Sequence, residues 1–161
     1  MITTQTRIPL RTYQSDGVDW LVQKGRALLA DEPRLGKSAQ ALLAMQALSV
    51  KRCLIVCQAF NIGVWQNEVE KWTETSAITI DASEQLIREL KWTFCIVSYG
   101  KVRHAALKWD GLIIDESHNV RNRKTKLFDN LKKLKSKYCF LLTGSPIVNS
   151  VMDLWPQLHL I

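Results

Sequence analysis

Asp31-Glu32-Pro33-Arg34-Leu35-Gly36-Lys37-Ser38 stands between a short apolar run at 26–30 and an Ala- and Leu-rich stretch at 37–48. The first reads as a buried strand and the second as a helix, so the eight residues form a strand-to-helix turn. That is the setting a phosphate-binding loop needs. Gly36 lets the backbone approach phosphate oxygens, the first N–H groups of the helix donate, Lys37 adds a charge, and the Ser38 hydroxyl can ligate Mg²⁺. The strict G-x-x-x-x-G-K-[ST] pattern wants Gly at 31, where this chain has Asp31. Gly-Lys-Ser alone is a weak signal, and the competing reading is a plain helix start.

Downstream, Gly111-Leu112-Ile113-Ile114-Asp115-Glu116-Ser117-His118 is an apolar strand ending in two adjacent carboxylates. Burying two such groups is costly unless a cation offsets them, as a Mg-nucleotide does. Asp115 can hold the metal directly or through water, and Glu116 can point at an attacking water and accept its proton. The competing reading is that one of them caps the next helix. Leu141-Leu142-Thr143-Gly144-Ser145-Pro146 is a third strand end, with Gly and Pro forcing a turn that by itself could be any β-turn.

Around these points apolar runs alternate with helical patterns, without a Pro/Gly/Ser linker, a repeat or a low-complexity tract. The patterns predict helices at 13–24, 37–48, 63–72, 83–91, 99–107, 125–135 and 150–159. They predict strands at 26–30, 53–57, 78–80, 93–98, 112–114 and 138–142. Repeated β-α units with near-continuous Val, Ile and Leu strands imply a single α/β domain, a mainly parallel sheet with helices on both faces. Ligands of such sheets bind beyond the carboxyl ends of the strands, which is where all three motifs fall.

The 161 residues are 47% hydrophobic and 23% charged, which suits one globular domain and excludes disorder and collagen. No apolar run reaches the ~20 residues of a membrane helix, and 1–11 lacks a signal peptide's apolar core. A cytoplasmic protein with no membrane partner is expected. Cys53, Cys57, Cys95 and Cys139 stand in apolar β-like runs and read as small buried hydrophobes. At ~3.3 Å per residue Cys53 and Cys57 lie ~13 Å apart, too far for a disulfide or one metal. The net charge of +7 is carried by 121–137, which holds eight of the 22 Lys and Arg and one of the 15 Asp and Glu.

Taken in order, the phosphate loop, Asp-Glu-Ser-His and Thr-Gly-Ser-Pro resemble motifs I, II and III of superfamily 2 helicases and translocases. The residues around them narrow the resemblance to the Swi/Snf type, the chromatin-remodeller-like DNA translocases. Leu10-Arg11-Thr12-Tyr13-Gln14-Ser15-Asp16-Gly17-Val18-Asp19-Trp20-Leu21 resembles that family's opening helix, and residues 30–38 resemble its Ala-Asp-Glu-Met-Gly-Leu-Gly-Lys-Thr. Residues 53–57 and Val64-Trp65-Gln66-Asn67-Glu68 resemble motif Ia and the helix after it, and Val97-Ser98-Tyr99 resembles motif Ib. Thr143-Gly144-Ser145-Pro146-Ile147-Val148-Asn149-Ser150, followed by Leu154-Trp155, resembles the family's Thr-Gly-Thr-Pro-Ile-Gln-Asn-Ser and Leu-Trp.

The resemblance covers nearly the whole chain. It implies that residues 1–161 are the RecA-like, P-loop N-terminal lobe of a helicase-type ATPase, binding ATP and Mg²⁺ and touching double-stranded DNA. Gln14 would read adenine. Arg34, Leu35, Gly36, Lys37 and Ser38 would hold the phosphates, with Lys37 on the β- and γ-phosphates. Ser38 and Asp115 would hold Mg²⁺, and Glu116 would activate water. His118, Thr143 and Ser145 match positions that couple the nucleotide state to DNA contacts. Ser98 and Tyr99 match positions near the tracked strand, although a tyrosine following a strand also reads as packing.

Some residues depart from the family pattern. Pro33-Arg34 replaces Met-Gly: Pro33 removes an N–H donor, and a positive φ at Arg34 would cost strain, while its guanidinium can add a phosphate contact. Gln58 stands where motif Ia commonly has Pro. Enzymes of this superfamily pair two RecA-like lobes, the second supplying arginine fingers worth about 10³-fold or more in rate. The 161 residues leave no room for that lobe, so the expectation is a chain that needs a second lobe in cis or trans and alone hydrolyses ATP poorly. The alternative is a non-catalytic nucleotide- or DNA-binding module that regulates a partner; an inert fragment is a third reading. Within 121–137 the charge divides in two. Lys126, Lys132, Lys133 and Lys135 flank the helical stripe of Leu127, Phe128, Leu131 and Leu134 and read as a solvated face. Arg121, Arg123 and Lys124 follow the Asp-Glu-Ser-His turn, resemble the family's basic stretch after motif II, and are the nucleic-acid candidates.

Overall fold

Strands rich in Val, Ile, Leu and Cys are stable where both of their faces are covered, and the pairing puts them there. The computed structural model describes residues 8–80, 93–105 and 108–161. Its strands are β1 (Arg26–Leu29), β2 (Arg52–Cys57), β3 (Ala77–Thr79), β4 (Thr93–Ser98), β5 (Lys108–Asp115) and β6 (Lys135–Leu142). They form one sheet in the order β1-β6-β5-β2-β4-β3, and every pair is parallel. The described helices are α1 (Thr12–Lys24), α2 (Lys37–Ala47), α3 (Ile62–Thr73), α4 (Lys126–Lys133) and the short α5 (Leu154–Leu158).

Alternation along each strand splits the core in two. Cys53, Ile55 and Cys57 of β2 join Leu21 of α1, Leu42 of α2 and Trp65 of α3 on one face. Leu54 and Val56 join Trp109, Val120 and the Phe128 and Leu131 of α4 on the other. The expectation of helices on both faces is therefore met. All four cysteines are buried free thiols, and burial pushes those of Cys57, Cys95 and Cys139 up to about 12. No described helix is long and apolar enough to cross a membrane.

Register decides what the sheet presents at its carboxyl edge. Leu142 of β6 lies opposite Leu29 of β1 on one side and Asp115 of β5 on the other. The three strand ends that carry the three motifs are thus level with one another. Thr143 extends the line, its N–H donating to the Leu29 carbonyl at 3.2 Å.

Several boundaries differ from the sequence expectation. Strands β5 and β6 begin before their apolar runs, because Lys108 pairs with Lys135 and Trp109 with Ser136. The basic helix ends at Lys133, Leu134 is extended (φ −70°, ψ 114°) and buried, and Lys135 opens β6 instead of lying on the helix. The segment expected as one last helix is a 3₁₀ turn, Val151–Asp153, followed by α5. The segment at 99–107 is also a 3₁₀ turn over Tyr99–Ala105. The helix expected at 83–91 lies outside the described residues.

Candidate functional site at the carboxyl edge

The turn from β1 to α2 is a left-handed one. Gly36 is the N-cap of α2 at φ 78°, ψ 35°, and Arg34 also has a positive φ of 69°. A left-handed Arg carries a penalty of roughly 1–2 kcal/mol that Gly would avoid, so the strain anticipated for this substitution is present. A Cβ at Gly36 would also strike Gln14 Nε2. Gln14 joins α1 to the loop: its Oε1 accepts from Arg11 N at 3.0 Å, and its Nε2 donates to the Leu35 carbonyl at 3.3 Å. Gln40, buried on α2, donates to the same carbonyl at 3.4 Å and to Asp31 Oδ2 at 3.3 Å. Two side-chain amides therefore fix the peptide next to Gly36, and the N–H groups that open α2 remain as the loop's donors.

Lys37 folds over this loop. Its ammonium donates to the Asp31 carbonyl at 2.7 Å and the Glu32 carbonyl at 2.9 Å. Both partners are neutral, so an anionic oxygen arriving at the helix start competes well for the ammonium. Pro33 fills the gap to the third motif: a Cβ on Gly144 would lie 3.0 Å from both Pro33 Cγ and Cδ. A side chain at 144 would push the Pro33 ring back by a few tenths of an ångström.

Asp115, at the end of β5, is half-buried and held from two sides. Trp65 Nε1 donates to its Oδ2 at 2.9 Å, and Glu116 N donates to its Oδ1 at 3.0 Å. Burial raises its pKa, opposed by the Trp65 bond, the Glu116 N–H and the nearby charge of Lys37. Glu116 follows in a left-handed conformation (φ 48°, ψ 52°) that turns the chain into the 3₁₀ segment Ser117–Val120. Tyr99 supports the turn from below, its hydroxyl donating to the Asp115 carbonyl at 2.5 Å. Burial and the Asp115 charge push the Tyr99 phenol well above its ordinary value, so it stays a donor.

Two bridges tie this turn to the third motif. His118 Nδ1 lies 2.9 Å from Thr143 Oγ1 and 3.3 Å from Glu116 Oε2, while Thr143 Oγ1 accepts from Ser145 N at 3.1 Å. Ser117 Oγ donates to Gln157 Oε1 at 2.7 Å, and Gln157 Nε2 donates to the carbonyls of Pro146 at 2.8 Å and Asp153 at 3.0 Å. Both Ser117 and Gln157 are fully buried, and this amide has a partner for each end.

The nucleic-acid candidates divide. Arg121, Arg123 and Lys124 are exposed and line one cleft with Asn122, Asn149 and Trp155. The Arg123 guanidinium lies 5.3 Å over the Trp155 ring, which also stacks on His159 at 4.9 Å and lies 6.1 Å from the Phe128 ring. Ser98 is buried, and the Tyr99 hydroxyl points inward to the Asp115 carbonyl. On α4, Lys126, Lys132 and Lys133 are exposed while Phe128 and Leu131 are buried, which is the solvated face expected of them.

Three polar partners carried no role in the sequence reading: Trp65, Gln40 and Gln157. The available signal was a polar group in apolar surroundings, since a buried indole N–H or amide must find a partner. Their partners lie 50, 9 and 40 residues away, so sequence spacing does not reveal them.

Comparison with known proteins agrees with this arrangement. A model of the SNF2-related domain matches residues 13–161. Human chromodomain-helicase-DNA-binding protein 8 is 31% identical over 96% of this chain, which spans 7% of that protein. Human SWI/SNF-related matrix-associated actin-dependent regulator of chromatin subfamily A member 1 is 31% identical over 94% of the chain, 17% of its own length. Among solved structures, the Sulfolobus solfataricus SWI2/SNF2 ATPase core in complex with dsDNA superposes with a TM-score of 0.84 at 27% identity, covering 97% of this chain and 36% of that one. The chain thus spans a small part of its curated relatives and about a third of the solved core. With a matching family model over nearly its whole length, the chain belongs to the SNF2-related domain family and is homologous to the ATPase cores of chromatin remodellers.

Proposed function

We propose that the carboxyl edge of this sheet binds Mg-ATP and is the nucleotide site of a DNA-dependent ATPase. The observation that carries this is the level register of three strand ends. It brings the strand ends that lead to Lys37, Asp115 and Thr143 to one level of the sheet edge, with the charge of Lys37 near enough to lower the pKa of Asp115. The residues present fit a magnesium nucleotide: an ammonium resting on neutral carbonyls, an anion-ready helix start, and a carboxylate whose burial a cation would relieve. When bound, Mg²⁺ supplies positive charge to the phosphate oxygens.

In this proposal the N–H groups opening α2 and the Lys37 ammonium bind the phosphates, while Arg34 adds a contact from the rim. Ser38 and Asp115 hold the metal. Glu116 accepts the proton of the attacking water, with His118 beside it reporting the state of the site to Thr143 and Ser145. Gln14 keeps a second amide N–H and a second Oε1 lone pair for adenine while its first N–H stays on the Leu35 carbonyl and Oε1 accepts from Arg11 N. Arg121, Arg123 and Lys124 take DNA phosphates, the charge-dependent contacts on which sequence-independent binding rests. Ser98 and Tyr99 support the DNA path from beneath. A second RecA-like lobe, in cis or trans, completes the site, and the exposed Ile147, Val148, Val151 and Met152 beside the third motif support a partner there.

Calorimetric titration of Mg-ATP into the chain and into K37A tests this function. Losing the two phosphate bonds of an ammonium should weaken binding by about 100-fold. Equal affinities in the two chains would sink the proposal.

A further inference from the structure

We propose that Trp65 is a positioning residue that fixes the metal-holding orientation of Asp115. The proposal rests on the magnesium-nucleotide function above and names a residue of α3 as part of its machinery.

Three indoles with assigned partners can be compared. Trp109 Nε1 donates to the carbonyl of Ala105, four residues back, at 3.0 Å. Trp72 Nε1 donates to Glu68 Oε2, one turn back on α3, at 3.0 Å. Each satisfies its N–H locally. Trp65, 2% exposed, instead crosses the sheet edge to a carboxylate 50 residues away, at 2.9 Å. Its reach is set by pairing: β2 lies against β5 with Val56 opposite Ile114, so the first turn of α3 comes to rest beside Asp115.

The consequence is geometric. A carboxylate held through one oxygen can still swing about its Cα–Cβ and Cβ–Cγ bonds. Asp115 is held through both, Oδ2 by the Trp65 indole and Oδ1 by the Glu116 N–H. Each oxygen keeps one further lone pair, and the direction of those lone pairs is fixed. Second donors of this kind, bonded to a ligand rather than to the metal, commonly account for roughly 10–100-fold of metal affinity.

The test uses the full chain. ATP affinity is measured by calorimetry in excess Mg²⁺ and again in EDTA, and the ratio of the two is the magnesium gain. The chains are wild type, W65F, W72F, and one carrying 3-benzothienylalanine at position 65, which keeps the indole shape with sulfur in place of N–H. The magnesium gain should fall about tenfold in W65F and in the isosteric chain, with their EDTA affinities unchanged. W72F, which loses an indole N–H on the same helix, should keep the wild-type gain. A wild-type gain in the isosteric chain overturns the proposal, even where W65F fails to fold. Equal losses in the two conditions also overturn it, since general damage to the fold weakens both alike. A wild-type chain with no magnesium gain contradicts the nucleotide function itself, and so is distinct from either result.

Discussion

The two edges of the same six strands solve different problems. At the amino edge, charged groups rest on nearby backbone or in water. Arg26 donates to the carbonyls of Ser136 at 2.9 Å and Leu160 at 2.7 Å, Asp110 accepts from Arg52 N at 3.0 Å, and Lys135 and Lys137 are exposed. At the carboxyl edge, polar side chains bind one another across long stretches of sequence, and the backbone is strained. Positive φ also occurs at Gly25, Ser49 and Glu74, yet each of those lies at or just beyond the C-terminus of a helix, where it ends the helix in the usual way. Arg34 and Glu116 end no helix. Strain that ends no helix, beside a half-buried carboxylate, is what favours the carboxyl edge as the proposed site.

The largest contrast is expected between two left-handed glycines. G36A and G25A should each cost roughly 1 kcal/mol or more of stability from the positive φ. Only G36A, whose strain and displaced Gln14 amide fall in the loop beside Lys37, should weaken Mg-ATP binding in calorimetry. Loss of nucleotide binding in G25A would break the distinction between the edges.

A smaller effect separates buried bridges from exposed ones. Q157L leaves the Ser117 hydroxyl and the Pro146 carbonyl without their partner, which should cost about 1–3 kcal/mol in urea unfolding. R26A removes bonds at the amino edge and should cost about 1 kcal/mol, with nucleotide affinity unchanged.

Within the basic segment, duplex DNA binding measured against salt separates the two groups of cations. Replacing Arg121, Arg123 and Lys124 by Ala should reduce the slope of log affinity on log salt by about 1 for each DNA phosphate no longer neutralised. Replacing Lys126, Lys132 and Lys133 should leave the slope nearly unchanged. The reverse pattern would move the DNA site onto α4.

The smallest contrast is expected among the thiols. With their values pushed up to about 12, Cys57 at the carboxyl end of β2 and Cys95 and Cys139 in neighbouring strands stay protonated at about pH 8. All should resist a thiol reagent until the chain unfolds. Faster labelling of Cys57 than of the others would show that the carboxyl edge opens on its own.

Motif order and the apolar cores of the strands made the α/β class and the positions of the loop, the carboxylate pair and the third turn legible in the sequence. The strain at Arg34 was legible too, because a bulky residue stands where the family has Gly. The polar starts of β5 and β6 were not, since Lys108 and Lys135 join the sheet by pairing with each other and not by hydrophobic pattern. Nor was the register that levels Leu29, Leu142 and Asp115, which is a property of three strands far apart in the chain. Trp65 and Gln157 stayed hidden for the same reason: a buried donor's need for a partner is visible locally, but the partner's identity is set by the fold.

The central claim is that Lys37 and Asp115 face one magnesium nucleotide. A crystal structure of the chain with Mg²⁺ and a non-hydrolysable ATP analogue tests it most directly. Phosphates are expected on the N–H groups that open α2, with Lys37 Nζ moved off the Asp31 and Glu32 carbonyls onto them, the metal on the Asp115 side and the Trp65 bond kept. A nucleotide bound elsewhere, or Lys37 still on its two carbonyls with the analogue in place, would contradict it.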